Sequence, residues 1–373
     1  MKKLIYANTK NADLFYSLKT EIPDPFFFLD NGQKQYVFLD HREIGAFREK
    51  NNNQNIEAVL LNPLLEEAVT VDGSSNHLFK LAVLLLKKYG LAGGSIGVPA
   101  SFPLDLADFL RSQGFVLQVV NPFYPNREIK VPTEIVAIKK SLQLTYPAYQ
   151  YLEKIFKEAK IKDGYLFWQD QLLTSEFLKR EVEKIFIVSG LVSTEGMIIA
   201  SGPQGAMPHH SGSGPILANV PIICDLFPRH RNSGYFSDMT RTYIKGQARP
   251  EVIKMYQAVL IAQTEAKQAI KPGVSGQEVY QKTVEVFAGL GYPSIGDQGF
   301  IHGTGHGLGL EIHETPYLNA QGESKLQAGN VVTVEPGLYF KDLGGIRIED
   351  IVVVTANGCE TLTDYPRKLK IFD

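Results

Sequence analysis

Hydrophobic and polar positions in the first 130 residues follow two alternating periods. Stretches 77–90 and 104–114 have the spacing of amphipathic helices, and each ends in Gly, a common helix stop. Short apolar runs bounded by turn residues predict buried strands between them. These runs are QYVFLD (35–40), AVLLN (58–62), SIGVPA (95–100) and FVLQVV (115–120). Strands that alternate with helices predict an α/β domain over residues 1–130.

Longer helical patterns begin after a Pro- and Asn-rich segment, 121–132, which is typical of a linker. An amphipathic pattern starts at Thr133 and predicts a helix that Pro147 kinks or interrupts. Further helices are predicted at about 147–160, 174–190 and 251–270, and another with a Ser275/Glu278 capping box, ending near Gly291. The predicted strands are VPIICDLF (220–227), MTRTYI (239–244), NVVTVEP (330–336) and IEDIVVVT (348–355). This pattern predicts a second domain over residues 131–373.

Composition agrees with two ordinary globular domains in 373 residues, with 44% hydrophobic and 21% charged positions. A net charge of −2 gives no reason to expect nucleic acid or an anionic membrane as a partner. Two cysteines, Cys224 and Cys359, cannot staple a fold of this size and suit a reducing compartment. The apolar runs are too short for a membrane span or a secretory signal, so we expect a cytoplasmic protein.

The first candidate chemistry is a pair of aspartates, Asp225 and Asp238, on two apolar strands that flank the turn-rich segment PRHRNSG. A β-hairpin is the natural interpretation. Twelve residues separate the aspartates, and an even number allows direct opposition about a two- or four-residue loop. Opposed carboxylates on one face repel each other unless a cation lies between them. The pair therefore predicts a metal site.

The same pattern recurs at Glu335 and Glu349, with turn glycines in KDLGG (341–345) between them. Thirteen residues separate the two glutamates, which suits a three- or five-residue loop. His306, on a Gly-rich segment, would complete a set of four carboxylates and one imidazole. Oxygen-rich sets suit divalent ions such as Mn²⁺ or Co²⁺. Two such ions are a common means of making a hydroxide nucleophile near neutral pH.

Histidines cluster as well, because five of the eight lie in the segments 208–210 and 302–313. Their spacing does not match HExxH, which excludes the metalloprotease helix motif. Glycine-rich segments 90–95 and 212–217 match neither a dinucleotide nor a P-loop fingerprint. Ser211 and Ser213 beside His210 have no strand–elbow–helix context and are explained better as turn residues.

Together these segments closely resemble the pita-bread metallopeptidases, namely Xaa-Pro aminopeptidase, Xaa-Pro dipeptidase (prolidase), methionine aminopeptidase and the related non-metal enzyme creatinase. The resemblance covers about residues 133–373. It implies an α+β pita-bread catalytic domain over residues 131–373, preceded by a creatinase-like α/β domain over residues 1–130. The segments that carry it are SGPQGAMPHH (201–210), GYFSDMTRT (234–242), HGTGHGLGLEIHE (302–314), VEPGLY (334–339) and GIRIED (345–350).

The resemblance also implies a ligand set for two divalent ions, with Mn²⁺ expected and Co²⁺ or Zn²⁺ as alternatives. Asp225 would bind one metal, Asp238 and Glu349 would bridge both, and His306 and Glu335 would complete the other shell. One departure is that the segment between the aspartates is two residues longer than usual, and Phe227 stands at the customary Gly position. We expect the extra length to bulge away from the metals.

Around the ligands, the resemblance implies residues that act on the substrate. His209 and His313 would contact the substrate carbonyl and the tetrahedral intermediate, and His302 would line the pocket for the residue after the scissile bond. Arg347 would hold the carboxylates in place, and we expect Glu335 to serve as the proton shuttle. The expected substrate is a peptide with proline at the second position, and the expected assembly is a homodimer.

Several alternatives stay open at this point. The motifs do not decide between Xaa-Pro aminopeptidase and Xaa-Pro dipeptidase, although the short link from Glu335 to Glu349 resembles prolidase or the short bacterial Xaa-Pro peptidases. Methionine aminopeptidase is disfavoured by the N-terminal domain, and creatinase by the retained metal ligands. A different class is a pita-bread protein that binds peptides or proteins without catalysis.

Overall fold

The computed structural model describes residues 1–71 and 75–373. Contacts divide the chain into two compact units, an N-terminal unit, Met1–Arg127, and a C-terminal unit, Glu128–Asp373. Within the described ranges, each helix is too short or too polar to cross a lipid bilayer. The N-terminal unit is α/β, and the C-terminal unit combines helices with several mostly antiparallel sheets.

The N-terminal unit contains a mixed sheet whose strand order is β4-β3-β2-β1-β5-β6. Its strands are β1 (Lys2–Ala7), β2 (Phe26–Asp30), β3 (Gln35–Leu39), β4 (Ile56–Leu60), β5 (Ser95–Val98) and β6 (Val116–Val119). Its helices are α1 (Ala12–Leu18), α2 (Ile44–Lys50), α3 (Asn62–Ala68), α4 (His77–Lys88) and α5 (Leu104–Ser112), and Pro125–Arg127 forms a 3₁₀ turn.

Both faces of this sheet are buried because successive side chains of β2 point to opposite sides. Phe27 and Leu29 join the core that contains α4 and α5, whereas Phe28 joins the core of α1 and α2. The predicted β3, β5, α4 and α5 are confirmed. The prediction that every strand is buried is wrong for the two edge strands. No residue of the segment 58–62, which overlaps β4, is buried, and Val116 and Val119 in β6 are 61% and 57% exposed.

Long helices frame the C-terminal unit. They are α6 (Pro132–Glu158), α7 (Ser175–Val188), α8 (Pro250–Ala269) and α9 (Gly276–Gly289). The predicted interruption at Pro147 is wrong, because α6 continues through it. Side chains on both sides of Pro147 are buried within the C-terminal unit, among them Leu142 and Leu152. This packing offsets the cost of about 3 kcal/mol for a proline inside a helix. The capping box at Ser275 is confirmed.

Two larger sheets of the C-terminal unit carry the segments that hold the candidate ligands. The first has the order β11 (Ile198–Ser201), β12 (Pro221–Leu226), β14 (Met239–Lys245), β22 (Lys370–Phe372). The second has the order β16 (Glu314–Leu318), β15 (Gly305–Gly307), β17 (Val331–Val334), β20 (Asp350–Val354), β21 (Cys359–Thr361). The predicted strands β12, β14, β17 and β20 are confirmed.

Smaller sheets complete the unit. They are the pair β18 (Gly337–Phe340) and β19 (Gly344–Arg347), the pair β10 (Leu191–Val192) and β13 (Arg229–His230), and the triplet β7 (Lys160–Lys162), β8 (Tyr165–Trp168) and β9 (Gln171–Leu172). One hydrophobic core joins α8 to β18 and β19, and another joins α8 and α9 to β17 and β20. The helices therefore fix the strands from which the ligands project.

Candidate metal centre

Asp225 and Asp238 lie on one face of a β-sheet, but the predicted direct opposition is wrong. Asp225 pairs with Thr240, and Leu226 pairs with Met239, so Asp238 immediately precedes β14 and stands two residues from the opposed position. An offset of two keeps the side-chain direction, because strand side chains alternate with a period of two. The aspartates are diagonal neighbours on the same face.

The hairpin pairing continues beyond the two strands in the same register, since the Ser237 amide donates to the Pro228 carbonyl at 2.9 Å and Arg229 pairs with Phe236. The His230 amide donates to the Tyr235 carbonyl at 2.9 Å, so the predicted four-residue loop is present as residues 231–234. Strand β13, just before this loop, also pairs with β10. Phe227, the residue at the customary Gly position, lies in the wall of the cavity that contains the aspartates.

Glu335 and Glu349 lie between two β-ladders, β17–β20 and β18–β19, and the residue pairing of one ladder continues in the same register in the other. Val334 pairs with Asp350 on one side, and Gly337 pairs with Arg347 on the other, which sets Glu335 opposite Glu349. The connecting loop is 341–343, since Phe340 pairs with Gly344. The hairpin with a three-residue loop that the sequence predicts is thus present.

One cavity of about 580 Å³ brings all the predicted site residues together. Its lining includes His209, Asp225, Asp238, His302, His306, His313, Glu335, Arg347 and Glu349. Asp225, Asp238, His306, Arg347 and Glu349 are buried, whereas His209 and His313 are exposed to the cavity. The cavity therefore has a buried, charged floor and exposed imidazoles in its wall.

At the floor of this cavity, Asp238, His306 and Glu349 each offer one ligand atom, and these atoms lie within 4.8 Å of one another. His306 Nδ1 lies 3.1 Å from the Gly307 carbonyl oxygen, to which an N–H at this position donates. His306 Nε2 then faces the carboxylates, 3.2 Å from Glu335 Oε1 and 3.7 Å from Asp238 Oδ2. A hydrogen bond that fixes one nitrogen and frees the other is typical of metal-binding histidines.

Two buried carboxylate oxygens have no hydrogen-bond donor among the described residues, Asp225 Oδ1 and Glu349 Oε1. The second oxygen of each carboxylate is held, since Arg347 donates to Asp225 Oδ2 at 2.7 Å and Thr240 donates to Glu349 Oε2 at 2.8 Å. A buried acceptor without a partner is costly, and a cation removes that cost. These residues fit divalent metal ions.

The electrostatics of the site point the same way. Burial raises the pKa of Asp238 and Glu349 well above the usual range, and neighbouring carboxylates add to the effect. Burial also raises the pKa of Asp225, although Arg347 opposes it. Burial, the largest single influence, acts to raise the pKa of Glu335 too. The hydrogen bond and positive charge of His306, together with His302 and Arg347, outweigh it and lower that pKa to about 2. Cations would allow the whole cluster to ionise together.

Comparison with known protein families shows which family contains this chain. Residues 137–356 match the family model described as metallopeptidase family M24, and this range is more than half of the chain. The chain belongs to metallopeptidase family M24. This membership places it among the peptidases, with the α/β and pita-bread α+β units that the sequence predicts.

Similar members of the M24 family carry different names. The chain is 35% identical over 259 residues to an Xaa-Pro dipeptidase of Pyrococcus furiosus, which covers 67% of this chain and 72% of the relative. It is 41% identical over 179 residues to the uncharacterized peptidase YqhT of Bacillus subtilis, which covers 48% of this chain and 49% of the relative. The chain thus spans about half the length of this second relative. An X-Pro aminopeptidase structure from Thermotoga maritima superposes with a TM-score of 0.79 at 25% identity, over 99% of this chain and 97% of that one.

Supporting residues that the sequence patterns do not single out join the M24 site. Tyr339 bonds to Arg347 Nη1 at 2.8 Å and to His302 Nε2 at 2.9 Å. The Thr333 hydroxyl accepts from the His306 amide at 3.0 Å. Thr240 could have been found from the period of two, because it lies two residues beyond Asp238. Tyr339 needs tertiary contacts for its recognition.

Proposed function

We propose that this M24 member is a metal-dependent peptidase that hydrolyses the bond between an N-terminal residue and proline. It would use two divalent ions, with Mn²⁺ as the expected metal. The observation that carries the proposal is the pair of donorless oxygens, Asp225 Oδ1 and Glu349 Oε1, in a cavity lined by exposed imidazoles. The names of similar proteins, Xaa-Pro dipeptidase and X-Pro aminopeptidase, support the choice of proline.

The proposed ligands of the two ions are Asp225, Asp238, His306, Glu335 and Glu349. Bound ions would supply a hydroxide nucleophile near neutral pH and polarise the substrate carbonyl. Arg347 would keep the Asp225 carboxylate in one orientation, because it bonds to one oxygen and leaves the other without a donor among the described residues. A fixed ligand geometry lowers the reorganisation that the reaction requires.

Proton transfer is the proposed work of Glu335. Its carboxylate would accept a proton from the attacking water and pass it to the prolyl nitrogen. That nitrogen belongs to an imide bond without an N–H, so it must gain a proton before it leaves. His209 and His313 are exposed in the same cavity and would donate hydrogen bonds to the carbonyl oxygen as negative charge develops there.

His302 would form a fixed wall for the prolyl ring. Both of its ring nitrogens are engaged, since Nδ1 lies 2.7 Å from the Gly303 carbonyl oxygen and Nε2 lies 2.9 Å from the Tyr339 hydroxyl. A ring held at both nitrogens presents its face or carbon edge to a neighbour. An apolar surface of this kind suits proline, which has no N–H to donate.

The test is hydrolysis of Xaa-Pro peptides by protein stripped of metal and then supplied with Mn²⁺, Co²⁺ or Zn²⁺. We expect release of the N-terminal residue from Ala-Pro-Ala only after metal is added, with Ala-Ala-Ala as the control peptide. Elemental analysis should give two ions for each chain. Peptide binding without cleavage under all three metals would favour the alternative, a non-catalytic peptide-binding module. The homodimer and the cytoplasmic location stay predictions.

A further inference from the structure

The charges that line the cavity are strongly unbalanced. Acidic side chains are Asp225, Asp238, Glu335, Glu349 and, at the exposed rim, Glu195. Among the described lining residues, Arg347 is the single lysine or arginine. Two divalent cations would carry four positive charges, which the four buried ligand carboxylates already balance. A further anion in this cavity would therefore depend on Arg347 or on a hydrogen-bond donor that is not yet used.

The guanidinium of Arg347 is already engaged by other groups of the protein. It is 3% exposed, and its Nη2 donates to Asp225 at 2.7 Å. Its Nη1 donates to the Tyr339 hydroxyl at 2.8 Å and approaches the Pro208 carbonyl oxygen at 3.4 Å. Its Nε lies 3.2 Å from the Thr240 hydroxyl. Withdrawal of this guanidinium would leave Asp225 without its partner, so it is not available to a substrate.

Apart from Arg347 and the proposed metal ligands, the described lining residues near His302 are uncharged. Asn319 contacts Gly303 next to that histidine, and Tyr317 and Ile312 continue the lining toward the rim. Tyr317 is 40% exposed and belongs to the rim rather than to the packed core. On the side of the cavity where the proposed function places proline, the described lining residues thus offer amide and aromatic groups and no lysine or arginine that is free.

A dipeptide and a longer peptide differ at this wall. In an Xaa-Pro dipeptide the prolyl residue carries a free carboxylate, and among the described lining residues there is no lysine or arginine to pair with it except Arg347, which is already engaged. An ionised carboxylate that loses water without gaining a partner pays a large desolvation penalty. In a longer peptide the same position is a neutral amide, and the terminal carboxylate lies farther out.

We propose that the preferred substrates are peptides that continue beyond proline, so that the chain acts as an aminopeptidase and discriminates against free Xaa-Pro dipeptides. This inference rests on the proposed function and adds the class of substrate. It depends on the charges of the cavity wall, whereas the proposed function depends on the metal ligands.

The test compares kcat/KM for Ala-Pro, Ala-Pro-NH₂ and Ala-Pro-Ala with the metal-loaded protein. Ala-Pro-NH₂ differs from the dipeptide only by the loss of the terminal charge. We expect both neutral-ended substrates to exceed Ala-Pro by about tenfold or more, since an unpaired charge is costly to bury. Equal values, or a preference for Ala-Pro, would overturn the inference while the proposed function stood. If none of the three peptides is cleaved, both the proposed function and this inference are wrong.

A substitution at the rim supplies an independent test. Tyr317→Arg adds a cation to the cavity lining, and Tyr317→Gln is the uncharged control. The arginine variant should raise the ratio of kcat/KM for Ala-Pro to that for Ala-Pro-NH₂ by about tenfold, as expected for a charge-assisted hydrogen bond, and the glutamine variant should not. Calorimetric affinities of both peptides for the same variants in a Glu335→Gln background report binding without turnover. An unchanged ratio in a folded Tyr317→Arg protein would contradict the role of charge at this wall.

Discussion

At the scale of single residues, two carboxylates of the candidate metal centre are each half satisfied by the protein. Asp225 and Glu349 each have one oxygen bonded to a neighbour and one without a donor among the described groups. Glu335 differs, because its Oε1 lies 3.2 Å from His306 Nε2 and 3.3 Å from the Thr333 hydroxyl. These contacts hold Glu335 in place for its proposed proton transfer.

Glu335→Gln should therefore reduce kcat by roughly 10²- to 10⁴-fold, the range for a lost general acid–base, and weaken peptide binding much less. The amide keeps the shape of the side chain but cannot accept the proton, and it is a poorer metal ligand. Steady-state kinetics, metal analysis and calorimetric peptide affinity measure the three effects separately. Glu323→Gln, at an exposed position outside the cavity, is the matched control. Activity retained by Glu335→Gln at full metal content would remove Glu335 from this role.

At the scale of elements, β15 presents His306 by allowing its neighbouring strands to approach closely. A Cβ atom on Gly305 would overlap the carbonyl oxygen of Thr333, and a Cβ on Gly307 would overlap the carbonyl oxygens of Glu314 and Thr315. The glycines on both sides of His306 are therefore required by the packing of β15 against β16 and β17. Side chains at either position would move the imidazole.

Gly305→Ala tests this requirement. We expect a loss of about 1–3 kcal/mol in the free energy of unfolding, as for other overpacked sites, together with weaker metal binding because His306 moves. Gly289→Ala in α9 is the control, since nothing lies within 4 Å of its added Cβ. That substitution should be neutral or stabilise the protein by up to about 1 kcal/mol. Denaturant titration with and without metal gives both values, and a Gly305→Ala protein as stable as Gly289→Ala would refute the steric argument.

At the scale of the whole molecule, the two units have separate hydrophobic cores, and the candidate metal site belongs to one of them. The N-terminal unit packs helices on both faces of its sheet. The C-terminal unit has cores of its own around α8 and α9, and every predicted ligand lies in it. Metal binding should therefore stabilise the C-terminal unit directly.

Removal of metal by a chelator should lower the thermal transition of the C-terminal unit. Each ion at about a hundredfold excess over its Kd contributes about 2.7 kcal/mol, which corresponds to roughly 5–10 °C per ion for a unit of this size. Calorimetry of the metal-loaded and metal-free protein measures the shift, and Asp238→Asn, which loses a ligand charge, should show a smaller one. An identical thermal profile with and without metal would contradict the metal centre.

Much of the fold could be predicted from local patterns in the sequence. Apolar runs and caps located β3, β5, α4, α5, α7 and α8 because periodicity and capping are local properties. The continuation of α6 through Pro147 could not be predicted, since burial on both sides of the proline offsets its local cost. The low burial of β6 follows from its place at the sheet edge, which the sequence does not encode locally.

The candidate site, like the fold, could be predicted only in part from the sequence. By itself the sequence identified the four carboxylates and His306 as a candidate metal set, because spacing and side-chain type survive in the linear chain, and it set Glu335 opposite Glu349 through a short loop. The resemblance to known metallopeptidases added His209, His302, His313 and Arg347. Only the tertiary structure decided that Asp225 and Asp238 are diagonal, since the four-residue turn lies at 231–234, one residue beyond the position that would set the aspartates directly opposite each other. It also decided that Arg347 is engaged by Asp225 and Tyr339, a matter of contacts between distant segments. Free charge in a cavity depends on such contacts, and for that reason substrate preference could be argued only from the fold.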